Sequence, residues 1–328
     1  QEMQQVRRVT RVMGSRFEFT AVDEDARRAE KALNAGIKEV RRIEALISSW
    51  DPLSETSEVN RQAGIAPVKV SKELYDLIFR SLKVSDLTGG AFDISFASID
   101  WIWKFDGSME ALPDSSTVEA SVAKIGFEDV LLDADSQTVF LREVGMKIGF
   151  GAIGKGYAAN RARKVMQEMG IRHGVVNAGG DLRAWGKQAH GGEWRVGISD
   201  PKDRKKVLAW LWVDDLAVVT SGDYEKFVEL EGKRFTHIVD PKTGWPVQGL
   251  QSVTIVCADA EVADALATAV FVMGEKEGLA LVEELKGIEC VLVNAAGEMK
   301  STKGLKLNYF DAETGEGMDY LLKVGEEK

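Results

Sequence analysis

Six strand-like segments follow one another between residues 174 and 257 with no helical period between them: 174–177, 194–198, 207–212, 217–220, 235–239 and 252–257. Each is a short run of β-branched, aliphatic and aromatic residues closed off by turn formers. Strands strung together this way must pair through hairpins or short loops, because a parallel pair needs a crossover of a dozen or more residues. Further strands are expected at 16–21, 147–150 and 289–294, the last turning at Asn294-Ala295-Ala296-Gly297. The fold class that follows is α+β, with mixed, largely antiparallel sheets and flanking helices, and not a strict βαβ alternation.

Helices are read from apolar residues at a spacing of three and four. One is expected over 23–47, capped by Asp23 and burying Ala29, Leu33, Ile37, Val40, Ile43 and Ile47. A second starts at the Ser71 cap, and a third runs over 155–169 and stops at Gly170. A fourth spans about 261–273 before Gly274, and a fifth 277–285. Residues 1–11 are polar and basic and read as a tether, leaving 12–328 as a single domain. No run of about 18 apolar residues occurs, so no membrane-spanning helix is expected.

The formal charge of −10 argues against a general nucleic-acid binder, which needs a basic face. An acidic protein that handles a phosphorylated ligand needs local offsets: glycine-rich backbone donors, a few cations or a metal. Glycines cluster at Gly89-Gly90, 149–156, Gly179-Gly180, Gly191-Gly192 and Ser221-Gly222, which together favour a large, multi-phosphate ligand over a set of plain turns. Gly149 to Gly154 matches the dinucleotide fingerprint G-x-G-x-x-G. A Rossmann unit would end its next strand on an acid for the ribose; here that strand ends at Asn177, the first acid is Asp181, and strands follow. The two cysteines, Cys257 and Cys290, lie in apolar strands and read as buried thiols.

Asp264 and Thr268 stand four residues apart in an otherwise small and apolar helix, so their oxygens share a face. A buried carboxylate needs a partner. Either a Lys or Arg from elsewhere supplies it, or a hard cation does, for which carboxylate, hydroxyl and carbonyl oxygens suit Mg²⁺ and not zinc. His237 lies in Thr236-His237-Ile238-Val239-Asp240-Pro241-Lys242-Thr243-Gly244, where a strand ends in a polar turn. It reads as a hydrogen-bonded turn residue, or as a proton acceptor near neutral pH. His173 and His190, beside glycines, read as incidental.

These motifs stand in an order that resembles the ApbE family of FAD:protein FMN transferases. The series is Met13-Gly14-Ser15, Ser48-Ser49-Trp50, Ser57-Glu58-Val59-Asn60, Thr88-Gly89-Gly90-Ala91-Phe92-Asp93 and Gly151-Ala152-Ile153-Gly154-Lys155-Gly156-Tyr157, then Asn177-Ala178-Gly179-Gly180-Asp181, Thr220-Ser221-Gly222-Asp223-Tyr224, the His237 turn and the Asp264/Thr268 helix. It covers residues 10 to 300. The resemblance implies a T-fold-related architecture with FAD, as substrate, in a central cleft. It also implies Mg²⁺ held by Asp264, Thr268 and the carbonyl of Ala152. Met13, Trp50, Ser57, Glu58, Ala91, Phe92, Asp93, Lys155, Gly179, Gly180, Asp181, Ser221, Gly222, His237 and Ile238 fall at positions expected to line the FAD site. His237 is the candidate base, with Asp93 or Asp181 as alternatives.

The implied reaction transfers FMN to a Thr or Ser hydroxyl of an acceptor such as a redox-pump subunit, releasing AMP. The implied setting is periplasmic or the outer face of the cytoplasmic membrane, often with a lipid anchor. A pyrophosphatase giving FMN and AMP, and a non-catalytic flavin-binding protein, are the alternatives. Three departures from the family pattern stand out: Gly149 where Asp is frequent, Ile94-Ser95 where Pro-Thr is, and Trp50 where Tyr, or Asn in hydrolytic relatives, is usual.

Overall fold

A computed structural model describes residues 2–99, 102–309 and the strand at 321–324. In chain order its elements begin with β1 (Gln4–Val12), β2 (Ser15–Asp23), α1 (Ala26–Ile47), α2 (Glu55–Arg61), β3 (Val68–Lys69) and α3 (Lys72–Leu87). Next come α4 (Ser115–Val122), β4 (Val130–Asp133), β5 (Thr138–Leu141), α5 (Gly154–Glu168), β6 (His173–Ala178) and β7 (Asp181–Trp185). They continue with β8 (Trp194–Ser199), β9 (Val207–Val213), β10 (Leu216–Gly222), β11 (Phe227–Leu230), β12 (Lys233–Thr236) and β13 (Leu250–Cys257). The last are α6 (Ala260–Met273), α7 (Glu275–Glu284), β14 (Glu289–Asn294), β15 (Met299–Ser301) and β16 (Leu321–Val324).

Eight strands form one sheet in the order β1-β2-β6-β7-β10-β13-β14-β15. Every neighbouring pair in it is antiparallel. The expected α+β class and antiparallel sheet are what is found. The central strands read as nearly continuous apolar runs because both faces of this sheet are covered. Alternate residues go to alternate sides. Val176, Ala217, Val219, Ile255 and Leu292 join the core under the helices. Val175, Val218, Val256 and Val291 pack against Trp194, Val196, Leu211 and Val213 of the β16-β8-β9 sheet. On the helical side α1 packs on α5 and β2, and α5 packs on α6, which lies over β10 and β13.

Four local expectations are corrected. Residues 4–11 are no tether: they belong to β1, paired along its length with β2, with Arg7 on Glu18 and Arg8 on Glu30. Charged residues suit this outermost strand, whose free edge must not recruit another chain. The cap of α1 is Asp25, whose carboxylate accepts from the N–H groups of Arg27 and Arg28. Asp23 instead accepts from Asp25 and holds the Arg28 guanidinium at 2.6 Å. Residues 147–150 are extended but join no ladder, because side chains take their backbone groups. Asn60 brackets Ile148 in both directions at 2.8 and 3.0 Å, and the Ser98 hydroxyl pairs with Lys147. The glycine fingerprint therefore follows no strand, and the Rossmann reading fails on its first requirement. Finally, β12 ends at Thr236, one residue before His237, and Val239 makes only an isolated bridge to Pro246.

Candidate active site

The site starts where α5 meets α6. Ile153, at the N-cap of α5, offers no capping side chain. The orphan N–H of Gly156 instead donates to the Asp264 carboxylate of α6 at 3.0 Å. Such a bond from a neighbouring helix satisfies one of the four unpaired donors of a helix start. In an unbroken helix that N–H would point to the carbonyl of Ala152, four residues back. Asp264 can reach it only because Gly156 has no side chain. A Cβ there would lie 2.1 Å from the carbonyl oxygen of Ala260 and 2.8 Å from the Cβ of Asp264. Gly156→Ala is therefore expected to push α5 off α6 and cost about 3 kcal/mol, lowering Tm by on the order of 5 °C. Thermal melts check this against Gly151→Ala, whose new methyl would meet nothing within 4 Å.

Strand alternation brings the second carboxylate. Leu182 and Ala184 face the β8–β9 side, so Asp181, Arg183 and Trp185 face the helices. Asp181 begins β7 immediately after the Gly179-Gly180 turn, whose two glycines have φ of 61° and 102°. Its carboxyl is buried beside that of Asp264. Burial raises the Asp181 pKa well above the usual carboxylate range, the charge of Asp264 adds to the rise, and the Lys155 ammonium opposes it. Burial also raises Asp264, against the pull of Lys155, the Gly156 N–H and Asp181. One Asp181 oxygen, Oδ2, is buried without a hydrogen-bond partner. The Lys155 ammonium lies 3.5 Å from the carbonyl of Gly179, which ties the 151–156 loop to the glycine turn.

This donor set fits a hard cation. Two touching carboxylates and an orphaned oxygen are a costly arrangement to bury without positive charge. Thr268 follows Asp264 by one turn of α6 and is half-buried, and Ala152 borders the loop from which Lys155 springs. Among the described residues no group of three or more His, Cys, Asp or Glu gathers. A metal here would therefore draw on hydroxyl and carbonyl oxygens as well, which matches Mg²⁺ rather than zinc.

The remaining predicted residues divide between those drawn to this corner and those held elsewhere. Met13 opens a two-residue hairpin turn with φ 54°, in the left-handed region where methionine is strained. Its N–H donates to Glu44 at 2.8 Å, and its methyl would lie 3.5 Å from a Cβ on Gly154, so it borders the same loop. Ser221, two positions from Val219 on β10, shares the helical face, and β10 runs on past its pairing with Leu182 to the end where Asp181 stands. The turn at Gly89-Gly90 lies beside Lys242, one residue from the end of Asp240-Pro241 in the His237 loop. Ala91, Phe92 and Ile238 are buried in the core. Trp50 is 73% exposed, in a loop whose N–H groups at Trp50 and Asp51 donate to the Ser48 hydroxyl.

Three predicted ligand contacts are already committed to partners within the protein. Ser57 donates to the carbonyl of Asp51 at 2.6 Å and so shapes the Trp50 loop. Glu58 pairs with Arg61 on the surface. Asp93 accepts from Ser95 and from the N–H of Phe127 at 3.1 Å, which leaves it a poor base; burial pushes its pKa up.

His237 belongs to a second corner. Its Nδ1 lies 3.1 Å from the carbonyl oxygen of Lys226. A carbonyl only accepts, so Nδ1 carries the proton and Nε2 keeps its lone pair. Nε2 faces Glu225 at 3.7 Å, where the carboxylate can stabilise the imidazolium formed on proton uptake. Glu225 also acts on Asp181, raising its pKa, so the two corners share one electrostatic neighbourhood. Phe105 stands edge-on to His237, and a cavity of about 690 Å³ opens there, lined by Trp103, Lys104, Phe105, Asp106 and Lys226. Glu225 and this aromatic wall were missed in the sequence. Glu225 follows directly on the Thr220–Tyr224 motif, whereas Trp103 and Phe105 carry no local signal.

A family model described as the ApbE family matches residues 13–292. The chain belongs to the ApbE family. A relative from Treponema pallidum, named FAD:protein FMN transferase, is 32% identical over 85% of this chain and 83% of its own. One from Klebsiella pneumoniae with the same name is 29% identical over 84% and 86%. The ApbE protein of Thermotoga maritima superposes with a TM-score of 0.84 at 32% identity, covering 92% of this chain and 97% of its own. The matched span includes both corners described above.

Proposed function

We propose that this chain is a transferase that moves FMN from FAD to a Thr or Ser hydroxyl of an acceptor protein and releases AMP. The observation that carries the reading is the buried Asp181–Asp264 pair beside Lys155, with His237 anchored at Nδ1 and turning Nε2 toward Glu225 nearby. Flavin transfer is the activity named for its relatives. Mg²⁺, held by Asp264, Thr268 and the Ala152 carbonyl, would supply charge neutralisation on the FAD diphosphate.

The protein's own groups do the rest. The 151–156 loop and the Gly179-Gly180 turn offer close backbone approach to the diphosphate, with Lys155 adding a point charge between them. His237 Nε2 takes the proton of the acceptor hydroxyl as its oxygen attacks the FMN phosphorus. The bond from that phosphorus to the bridging diphosphate oxygen breaks, and AMP leaves with the electron pair. Positioning and charge stabilisation dominate such phosphoryl transfers. The acceptor as a redox-pump subunit, an exported location and a lipid anchor belong to the same proposal, supported by the family resemblance.

Water in place of the acceptor hydroxyl would make the chain a pyrophosphatase. Trp50, an aromatic where hydrolytic relatives carry Asn, favours transfer. The test is AMP release from FAD and Mg²⁺ followed with and without a redox-pump subunit. Transfer predicts slow release that accelerates at least tenfold with the subunit present; rapid release indifferent to it would overturn the proposal.

A further inference from the structure

The hairpin of β11 and β12 separates two cavities. On the side away from the aromatic wall lies a cleft of about 650 Å³, lined among others by Lys202, Arg204, Asp223, Tyr224, Phe227 and Arg234. Phe227 pairs with Thr236, the residue before His237, so the cleft begins one residue from the candidate base. It holds three cations against one carboxylate, Asp223, in a chain whose net charge is −10. Asp200 accepts from the N–H of Lys202 within its own turn, and Asp203 pairs with Lys206. One terminal nitrogen of Arg204, Nη2, is buried with no hydrogen-bond partner, a donor left over in the cleft wall.

The aromatic rings indicate what kind of anion fits. Arg204 lies over Tyr224 at 5.2 Å and Arg234 over Phe227 at 3.7 Å. Each ring already carries a guanidinium on a face, so neither offers a clear platform on which a nucleobase could stack. Arg234 also donates from Nη2 to the Asp223 carbonyl at 3.4 Å, and the remaining donors of the two guanidinium groups suit carboxylates, which Arg binds in a fork. On an otherwise acidic protein, such a patch directs where an acidic partner can approach without repulsion.

We infer that this cleft is the docking site for an acidic segment of the acceptor polypeptide, next to the residue it modifies. The inference rests on the acceptor reading above, and its test separates the two. Binding of a fluorescein-labelled hexaglutamate peptide to the full chain is measured by anisotropy, beside hexaglutamine, inorganic phosphate and AMP as competitors. The wild type is expected to bind hexaglutamate, to ignore hexaglutamine, and to lose affinity as salt rises. The double variant Arg204→Gln/Arg234→Gln is expected to bind it about tenfold or more weakly, with Arg204→Lys/Arg234→Lys partly restoring binding and all three proteins melting alike.

In the transfer assay the double variant should raise the acceptor KM by a similar factor while kcat and FAD affinity hold. Equal hexaglutamate binding by wild type and double variant overturns the inference, as does displacement by phosphate or AMP at matched charge. A wild type that binds hexaglutamate at this cleft yet transfers no FMN retains the acidic-segment site and sinks only the acceptor reading.

Discussion

Asp264→Asn is expected to leave the fold in place and remove Mg²⁺-dependent turnover, with kcat/KM falling about 10³-fold, or roughly 4 kcal/mol of transition-state stabilisation. The asparagine carbonyl can still accept from the Gly156 N–H, so the cap on α5 survives. What disappears is the negative charge that faces Asp181 and Lys155. The substitution thus separates two roles of one side chain. If Asp264 serves only as a helix cap from a neighbouring helix, the asparagine variant keeps both its Tm and its rate. If it serves a cation, Tm holds within a few degrees, the rate collapses, and raising Mg²⁺ restores little. Isothermal titration of Mg²⁺ into both proteins gives the same answer without turnover.

His237→Ala is expected to lower kcat about 10²–10³-fold, in the range of a lost general base, with FAD binding unchanged. The structure supplies the reason for expecting an effect on rate and not on binding. The imidazole is anchored at Nδ1 to the Lys226 carbonyl and turns Nε2 toward Glu225, and it is a partly exposed group at a cavity mouth. Its loss leaves the Asp181–Asp264 corner intact. Glu225→Gln should act in the same direction but less, about tenfold, because it removes only the charge that stabilises the imidazolium. Single-turnover rates and equilibrium dialysis of FAD read the two quantities separately. A variant with full kcat would remove His237 from the mechanism.

Much of the architecture was legible because it is written in short-range pattern. The apolar strands, the small-residue helix α6 and the glycine after α5 are each readable within a dozen residues. Where groups distant in sequence satisfy the backbone, local pattern misleads: Asn60 and Ser98 take the hydrogen bonds of residues 147 and 148 and Ile94 that of Gly149, so this strand-like run joins no ladder. The β1 segment failed in the opposite way, since an outer strand with charges on it lacks the apolar alternation of a buried one.

The same contrast holds for the site. The oddity of a carboxylate in an apolar helix marked Asp264, but nothing local could pair it with Asp181, which lies on another strand and reaches it only through sheet alternation. Ser57, Glu58 and Asp93 sit in recognisable motifs, yet their polar atoms bind partners within the protein. A motif specifies residue types; only packing decides which of them face a ligand.

The most direct test of the account is covalent flavin on an acceptor. The purified chain is incubated with FAD, Mg²⁺ and a redox-pump subunit, with a parallel sample in EDTA, and both are read by in-gel flavin fluorescence and intact mass. The account predicts a fluorescent subunit heavier by one FMN, formed with one AMP per label and absent in EDTA. An unlabelled subunit beside abundant free FMN and AMP, or labelling that EDTA leaves untouched, would contradict it.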